Sequence, residues 1–381
     1  MIRTRALWAA APIGAAAALI VSSGCGGAAD DAANVVKIGV AGPLEQGLGA
    51  HTLRGAELAR DQINDGGGIR GRTLELAAMS DAGDPQRAVA VAESLLADAA
   101  VFAVLGHSNS GATLAAAPIY GQGLAAVSAT ATSPAVTEAG PWIFRVSPSD
   151  AATSASMAEY ALREFGSRTA VLYANDAFGR GLREAFGTAY VNGGGTLLSE
   201  YPYIEGQTED FEPYLMGVEA ARPDLIFVAG LDFGAARIIR QARGMGIETP
   251  ILGGDGLLGL VGQDPIFDGT YVLVFYHPDA EGEANRAFVD AHRSAYGTEP
   301  DAYAALAYDA VRLLAQAAGE VGFDRQKVRE YLEGVGNGRD PFPGVSGRIA
   351  FDEAGDPVEK GVAIGRIRGN TIELVSIEGG T

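Results

Sequence analysis

Cysteine is almost absent from this chain. Cys25 is the only one in 381 residues, which excludes an intrachain disulfide. Histidine is scarce and scattered: His51, His107, His277 and His292 form no HxH or HxxxH pair, so no metal-ligating spacing exists. Positive charge is short as well. Lys and Arg number 28 against 47 Asp and Glu, for a formal charge of −19. A chain this acidic does not bind nucleic acid non-specifically or adsorb to anionic lipid, because both need basic surface. No GxSxG and no P-loop is present. The first strand runs into Gly39-Val40-Ala41-Gly42-Pro43, which fails the GxGxxG of a dinucleotide fold. These absences argue against an enzyme and against any cofactor. They leave binding of a small molecule as the expectation.

Long apolar runs are missing too, except at the start. Arg3 and Arg5 precede an Ala-rich apolar run over 6–21, the pattern of a secretory signal peptide. The run falls short of the about 18–20 residues of a membrane span. Ser22-Ser23-Gly24-Cys25 follows and resembles a bacterial lipoprotein cleavage site with Cys25 acylated, Ser22 standing where that pattern carries Leu; plain periplasmic release is the alternative. Removal of 1–24 takes away two arginines and no acids. Residues 25–34 read as a Gly/Ala/Asp tether. The remainder suits about two domains at roughly 150 residues each.

The rest reads as two α/β halves. Residues 35–41 form an apolar strand, and 53–63 show helical spacing of apolar residues. Gly66-Gly67-Gly68 ends that helix as a turn. Strand 73–79 follows, then a helix opened by Asp84-Pro85, with an N-cap residue and Pro at the first position. Strand 101–105 leads into a helix from Gly111 and a further strand at 124–127. The alternation predicts a parallel sheet covered on both faces. After a crossover near 142–148 the pattern starts again with a helix over 151–165 and a strand at 169–173, and the next helix, from Gly181, also closes on three glycines, Gly193 to Gly195. Residues 283–332 read as helices. Stretches 347–351, 361–367 and 371–377 read as strands that have no core of their own.

The chemistry collects in loops at the carboxyl ends of these strands. His107–Ser110 and Ser128–Ser133 are rich in hydroxyls; the matching loops of the second half carry Asp232 and Asp255. Ser110 stands just before a helix, where a hydroxyl and free N–H groups suit a carboxylate. Taken alone, Ser110 reads first as an N-cap and Thr132 as a turn residue; two such loops side by side favour a binding site. If the halves face each other, hydroxyls take a carboxylate and Asp255 takes an ammonium, which is the signature of a free amino acid. His107 beside Ser110 reads as structural or as a ligand neighbour rather than as a catalytic base.

The ordered set KIGVAGPL at 37–44, RGAELARDQIN with GGGIRG, SDAGDPQRAVAVA at 80–92, GHSNSGAT, the TSP at 132–134, NDAFGRGL at 175–182, RQARGMGI at 240–247 and GGDG resembles the leucine/isoleucine/valine-binding family of periplasmic receptors for ABC transporters. The resemblance covers nearly all of 35–377. It implies an α/β fold of two doubly wound parallel-sheet lobes joined by three hinge crossings, near Ser147, Tyr276 and Gly347. The expected division is 35–146 with 278–346, and 147–277 with 347–381. The family's carboxylate-binding serine falls on Ser110. Its hydroxyl and backbone pair falls on Thr132, and its ammonium-accepting carbonyl falls on Thr130. Its acidic partner falls on Asp255, one methylene shorter than the commoner Glu. Side-chain-pocket positions fall on Leu48, Phe178 and Tyr303. The family's aromatic residue is missing at Leu231-Asp232; Asp232 there either binds a polar or cationic ligand group or caps the next helix.

The resemblance implies an amino-acid receptor that delivers its ligand to a membrane permease; a monomer is expected, and the leader pattern places it outside the cytoplasm, held through Cys25. The alternatives are a ligand-sensing subunit of the same fold and a binder of amides or of polar or cationic amino acids.

Overall fold

The computed structural model describes residues 34–45, 47–358 and 360–378. The leader and Cys25 therefore lie outside the described residues. The first sheet comprises β1 (Val35–Gly42), β2 (Thr73–Ser80), β3 (Val101–Leu105), β4 (Ala126–Ser128) and β5 (Ile143–Arg145), in spatial order β2-β1-β3-β4-β5 and parallel throughout. Its central strands are nearly continuous apolar runs because both faces are covered. On β3, Phe102 and Leu105 join the main core, whereas Val101 and Val104 pack with Ala88, Ala92 and Leu95 of a second core on the other face.

Helices α1 (Gly47–Asp65), α2 (Pro85–Ala97) and α3 (Ser110–Tyr120) connect the strands. Asp84 caps α2, accepting from the N–H groups of Gln86 and Arg87, with Pro85 at the first helical position. The glycine run ends α1 as the sequence indicates. Gly67 and Gly68 both have positive φ, and a β-carbon on Gly68 would strike the Arg72 carbonyl.

The second sheet repeats the plan. Strands β6 (Arg168–Ala174), β7 (Thr196–Tyr203), β8 (Leu225–Ala229), β9 (Ile251–Gly253) and β10 (Tyr271–Val274) lie parallel in the order β7-β6-β8-β9-β10. Their helices are α4 (Asp150–Glu164), α5 (Ala177–Asn192), α6 (Glu212–Ala221) and α7 (Asp232–Gly244). The order equals that of the first sheet, so β3 and β8, and likewise β4 and β9, are equivalent. One feature differs from an all-parallel expectation. The last strands, β13 (Val362–Arg368) and β14 (Thr371–Glu378), extend this sheet beyond β10 and are antiparallel. A short connection after β13 allows no crossover helix, so β14 can only turn back beside it.

Between β10 and β13 the chain returns to the first sheet with α8 (Glu283–Tyr296), α9 (Ala302–Val321) and α10 (Arg325–Gly334). Helix α9 is apolar on almost every side and buries fifteen residues. It packs on α1 so closely that a β-carbon at Gly55 would meet the Ala304 backbone. A hairpin of β11 (Phe342–Gly344) and β12 (Gly347–Ile349) then leads back to the second sheet. The chain thus passes between the sheets three times, after β5, after β10 and after β12. Among the described residues no helix is long and apolar enough to cross a membrane.

Candidate functional site

Every doubly wound sheet has a point where the strand order reverses, and the loops there open a crevice at the carboxyl ends of the strands. Here that point lies at β1/β3 in one sheet and at β6/β8 in the other. Leu48 follows β1, Ser110 follows β3, and Thr130 and Thr132 follow β4. In the second sheet Phe178 follows β6, Asp232 follows β8, and Asp255 follows β9. Tyr303 stands in the first turn of α9.

The hydroxyl loops are held rigidly from behind. His107 is fully buried; its Nδ1 meets Asp81 Oδ2 at 2.5 Å and its Nε2 meets the Tyr120 hydroxyl at 2.9 Å. Both ring nitrogens are engaged in the core, so His107 is structural. Its carbonyl accepts from Ser128 Oγ (2.7 Å) and Thr113 Oγ1 (3.1 Å). Thr130 Oγ1 donates to the Ser108 carbonyl at 2.8 Å, so its hydroxyl ties the two loops together. Ser110 is the first residue of α3 rather than its cap. That place belongs to Asn109, which makes no side-chain capping bond. Ser110 Oγ accepts from the Ser133 N–H at 3.2 Å and is buried beside the helix N-terminus.

Some buried atoms of this region are left open: Ser108 Oγ and Asn109 Oδ1 of the first loop and, among the predicted groups, two more. Thr132 Oγ1 and Asp255 Oδ1 are buried and have no hydrogen-bond partner. Buried polar atoms are almost always paired, and one left open costs about 1–3 kcal/mol. Burial pushes the Asp255 carboxyl up to about 7, although its own N–H and that of Gly256 pull the other way. Tyr303 donates its hydroxyl to the Asp255 carbonyl at 2.8 Å, and Ser133 Oγ donates to the Ala177 carbonyl at 2.9 Å. Both bonds join elements of the first sheet to elements of the second, so the crevice is shut over these atoms.

An apolar wall lies beside Asp255. A β-carbon on Gly256 would meet the Gly230 carbonyl at 2.5 Å, the Phe178 ring at 3.0 Å and Leu231 at 3.2 Å. Leu48 is half-buried at the opposite side, on the first turns of α1.

Asp232 behaves differently from Asp255. Its carboxyl lies against Gly259, takes its own N–H and that of Phe233, and receives the Gln263 side chain; burial raises its pKa and His51 partly offsets the rise. It starts α7, but the remaining N-terminal amides belong to Glu205, which accepts from Gly234 (2.7 Å) and Leu231 (3.2 Å). No sequence signal marks Glu205, because it reaches α7 from the far side of β7.

Asp150 also escapes the sequence reading. It is fully buried at the start of α4, both carboxyl oxygens are unpartnered, and its N–H donates to the Thr132 carbonyl at 2.8 Å. His51 and Asp301 pair at the outer end of the crevice, and that bond raises the histidine pKa.

Among the described residues no group of His, Cys, Asp and Glu suits a metal ion. The site instead offers open hydroxyl and carboxyl oxygens, a helix N-terminus and an apolar wall, enclosed between two sheets. That set has the donors and acceptors to hold a small molecule that carries both an anionic and a cationic group.

Residues 35–371 match the family described as periplasmic binding protein. The Leu/Ile/Val-binding protein homolog 1 of Brucella suis biovar 1 (strain 1330) is 32% identical over 354 residues, spanning 90% of this chain and 92% of that protein. An ABC transporter substrate-binding protein of Desulfitobacterium hafniense, solved in complex with Leu, is 31% identical with a TM-score of 0.78, covering 90% of this chain and 100% of that one. The leucine binding protein of Thermotoga maritima is 29% identical with a TM-score of 0.82, covering 90% and 98%. The members of this family are solute receptors of ABC transporters, not enzymes. The chain belongs to the periplasmic binding protein family, with its ligand crevice between two doubly wound sheets.

Proposed function

We propose that the solute is a free α-amino acid with an aliphatic side chain, captured between the two lobes and handed to an ABC permease. The observation that carries this reading is the pair of buried, unpartnered oxygens, Thr132 Oγ1 from the first sheet and Asp255 Oδ1 from the second. Ser110 and the N-terminus of α3 take the ligand carboxylate. The Thr130 carbonyl, Thr132 and Asp255 take the ammonium. Leu48, Phe178 and Tyr303 enclose the side chain, and Leu231 adds apolar surface where relatives of the resembled family place an aromatic ring. Asp232 is a helix-end acid at the rim, since its oxygens are already occupied. Four to six charged hydrogen bonds at roughly 1.5–3 kcal/mol each support micromolar binding after the cost of association. Relatives solved with leucine and isoleucine support the same class of ligand.

The lobes in this reading are 35–146 with 278–346, and 147–277 with 347–381. The protein acts as a monomer, anchored outside the cytoplasm by acylated Cys25 after removal of 1–24.

Thermal unfolding of the purified protein against a panel of amino acids, amides, polyamines and aromatic acids tests the reading. A ligand that binds only the folded state raises the midpoint with its concentration. Leucine, isoleucine and valine should raise it most. A shift produced only by compounds without an α-ammonium would contradict the assignment of Asp255.

A further inference from the structure

Asp150 has no function in the reading above, yet its surroundings are unusual for an acid. It is the first residue of α4, directly after the chain leaves the first sheet. Ser149, not Asp150, supplies the cap, accepting from the Ala152 N–H at 3.2 Å. The nearest cation is Arg145 on β5, and its guanidinium is already committed to Asp356 and to the carbonyls of Ala131 and Ser133. The Asp150 carboxyl is therefore wholly out of water, outside regular hydrogen-bond geometry, with the Thr132 hydroxyl as the one donor close enough to act on it. A buried acid left in that condition is destabilising unless something absent from the empty protein completes it.

Its place says what that something is. The Asp150 N–H holds the Thr132 carbonyl, so its side chain starts beside the Thr132 hydroxyl, the other unpartnered atom of this loop. Asp255 approaches from the second sheet closely enough for its charge to act on Asp150. Two acids and a hydroxyl thus lie within reach of one another, and Thr132 Oγ1, Asp255 Oδ1 and both Asp150 oxygens are outside regular hydrogen bonds. An ammonium group has three N–H donors and one positive charge, and it suits such a set better than any neutral donor. Resting on the amino-acid reading, we propose that Asp150 is a second acidic ligand contact, closing with Asp255 and Thr132 around the ligand's ammonium.

A proton is coupled to this contact. Burial, then the charge of Asp255, holds the Asp150 carboxyl well above the usual carboxylate range, with Thr132 and Arg145 opposing weakly. The other groups facing the pair are the Tyr303 hydroxyl from α9 and, beyond it, Asp232 and Asp301. Without ligand, burial and mutual repulsion favour the protonated form of this pair, and an arriving ammonium favours the ionised form: a carboxyl O–H ionises and its proton leaves to solvent. Binding of an amino acid therefore releases protons, and affinity rises with pH across the range in which the pair ionises.

The experiment is calorimetric titration of L-leucine into the protein at pH 6 in two buffers of different ionisation enthalpy, for wild type, Asp150→Asn and Asp150→Ser. Wild type should release a fraction of a proton per ligand. Both variants should release fewer protons and bind about tenfold or more weakly. The empty variants should unfold at the same temperature as wild type or higher, because a buried unpartnered acid has gone; a merely structural Asp150 would lower that midpoint. Variants that bind leucine and release protons like wild type overturn the role of Asp150 alone. A wild-type protein that binds no amino acid at all fails the reading beneath it and takes this one down too.

Discussion

Arg145 and Asp356 meet through two parallel hydrogen bonds, Nε to Oδ1 and Nη2 to Oδ2, each 2.6 Å long. Arg145 is fully buried on β5, and Asp356 lies on the chain's last return to the second sheet. The same guanidinium donates from Nη1 to the carbonyls of Ser133 (2.9 Å) and Ala131 (3.3 Å), and from Nη2 to Thr137 Oγ1. One side chain therefore fixes the Thr130–Ser133 loop to the passage between the lobes. A planar fork is needed for this, and an ammonium cannot replace it.

Removing that fork should affect both stability and binding. Arg145→Ala leaves Asp356 and two loop carbonyls without their donor, and the expected loss is about 3–5 kcal/mol of folding stability. Arg145→Lys should recover only part of it. Urea unfolding measures the first effect. The affinity of the Lys variant for the ligand reports whether the loop has lost its shape.

The empty protein should become less stable as pH rises from about 4 to 7. Asp255 has its carboxyl raised from 3.8 to about 7 in the folded chain, so the folded state binds more protons than the unfolded one within that window. Stability from this group is fully present below the lower value and is lost as pH climbs through the upper one. Asp255→Asn should flatten this slope and unfold at a higher temperature than wild type above pH 7. A thermal unfolding series against pH, without ligand, checks the sign.

Ser110→Ala should weaken binding of the ligand carboxylate by about 1–3 kcal/mol. It also frees the Ser133 N–H, which now donates to Ser110 Oγ, so a small loss of stability should accompany it. Equilibrium titration with leucine and with leucine amide separates the two. If Ser110 holds the carboxylate, the amide should be far less sensitive to the change.

Tyr303→Phe removes the hydroxyl that joins α9 to the Asp255 carbonyl across the shut crevice. The closed form should lose about 0.5–1.5 kcal/mol relative to the open one. Binding should weaken severalfold, mainly through faster release, which stopped-flow dissociation would measure.

Much of this architecture is legible in the chain because its signals are local. Apolar runs, broken in β1 only by Lys37, mark β1, β3 and β8, Asp84-Pro85 marks the start of α2, and Gly66-Gly67-Gly68 marks the end of α1. The proposed contacts Ser110, Thr132 and Asp255 stand out in the sequence because each lies just past the carboxyl end of a strand. The rest depends on partners distant in sequence. Asp150 looks like any helix-opening acid until the fold leaves it without a partner beside Thr132. Glu205 caps α7 from 26 and 29 residues away. Arg145 and Asp356 are 211 positions apart, and no spacing rule connects them. The antiparallel edge of β13 and β14 was hidden because an apolar strand reads alike in either direction.

The central claim is that Asp255 receives a ligand ammonium inside a crevice closed by both sheets. Isothermal titration of L-leucine into wild type and Asp255→Asn at neutral pH tests it most directly. Micromolar or tighter binding by wild type, weakened by about 2–5 kcal/mol in the variant, is the predicted result. Equal affinity in the two proteins would contradict it.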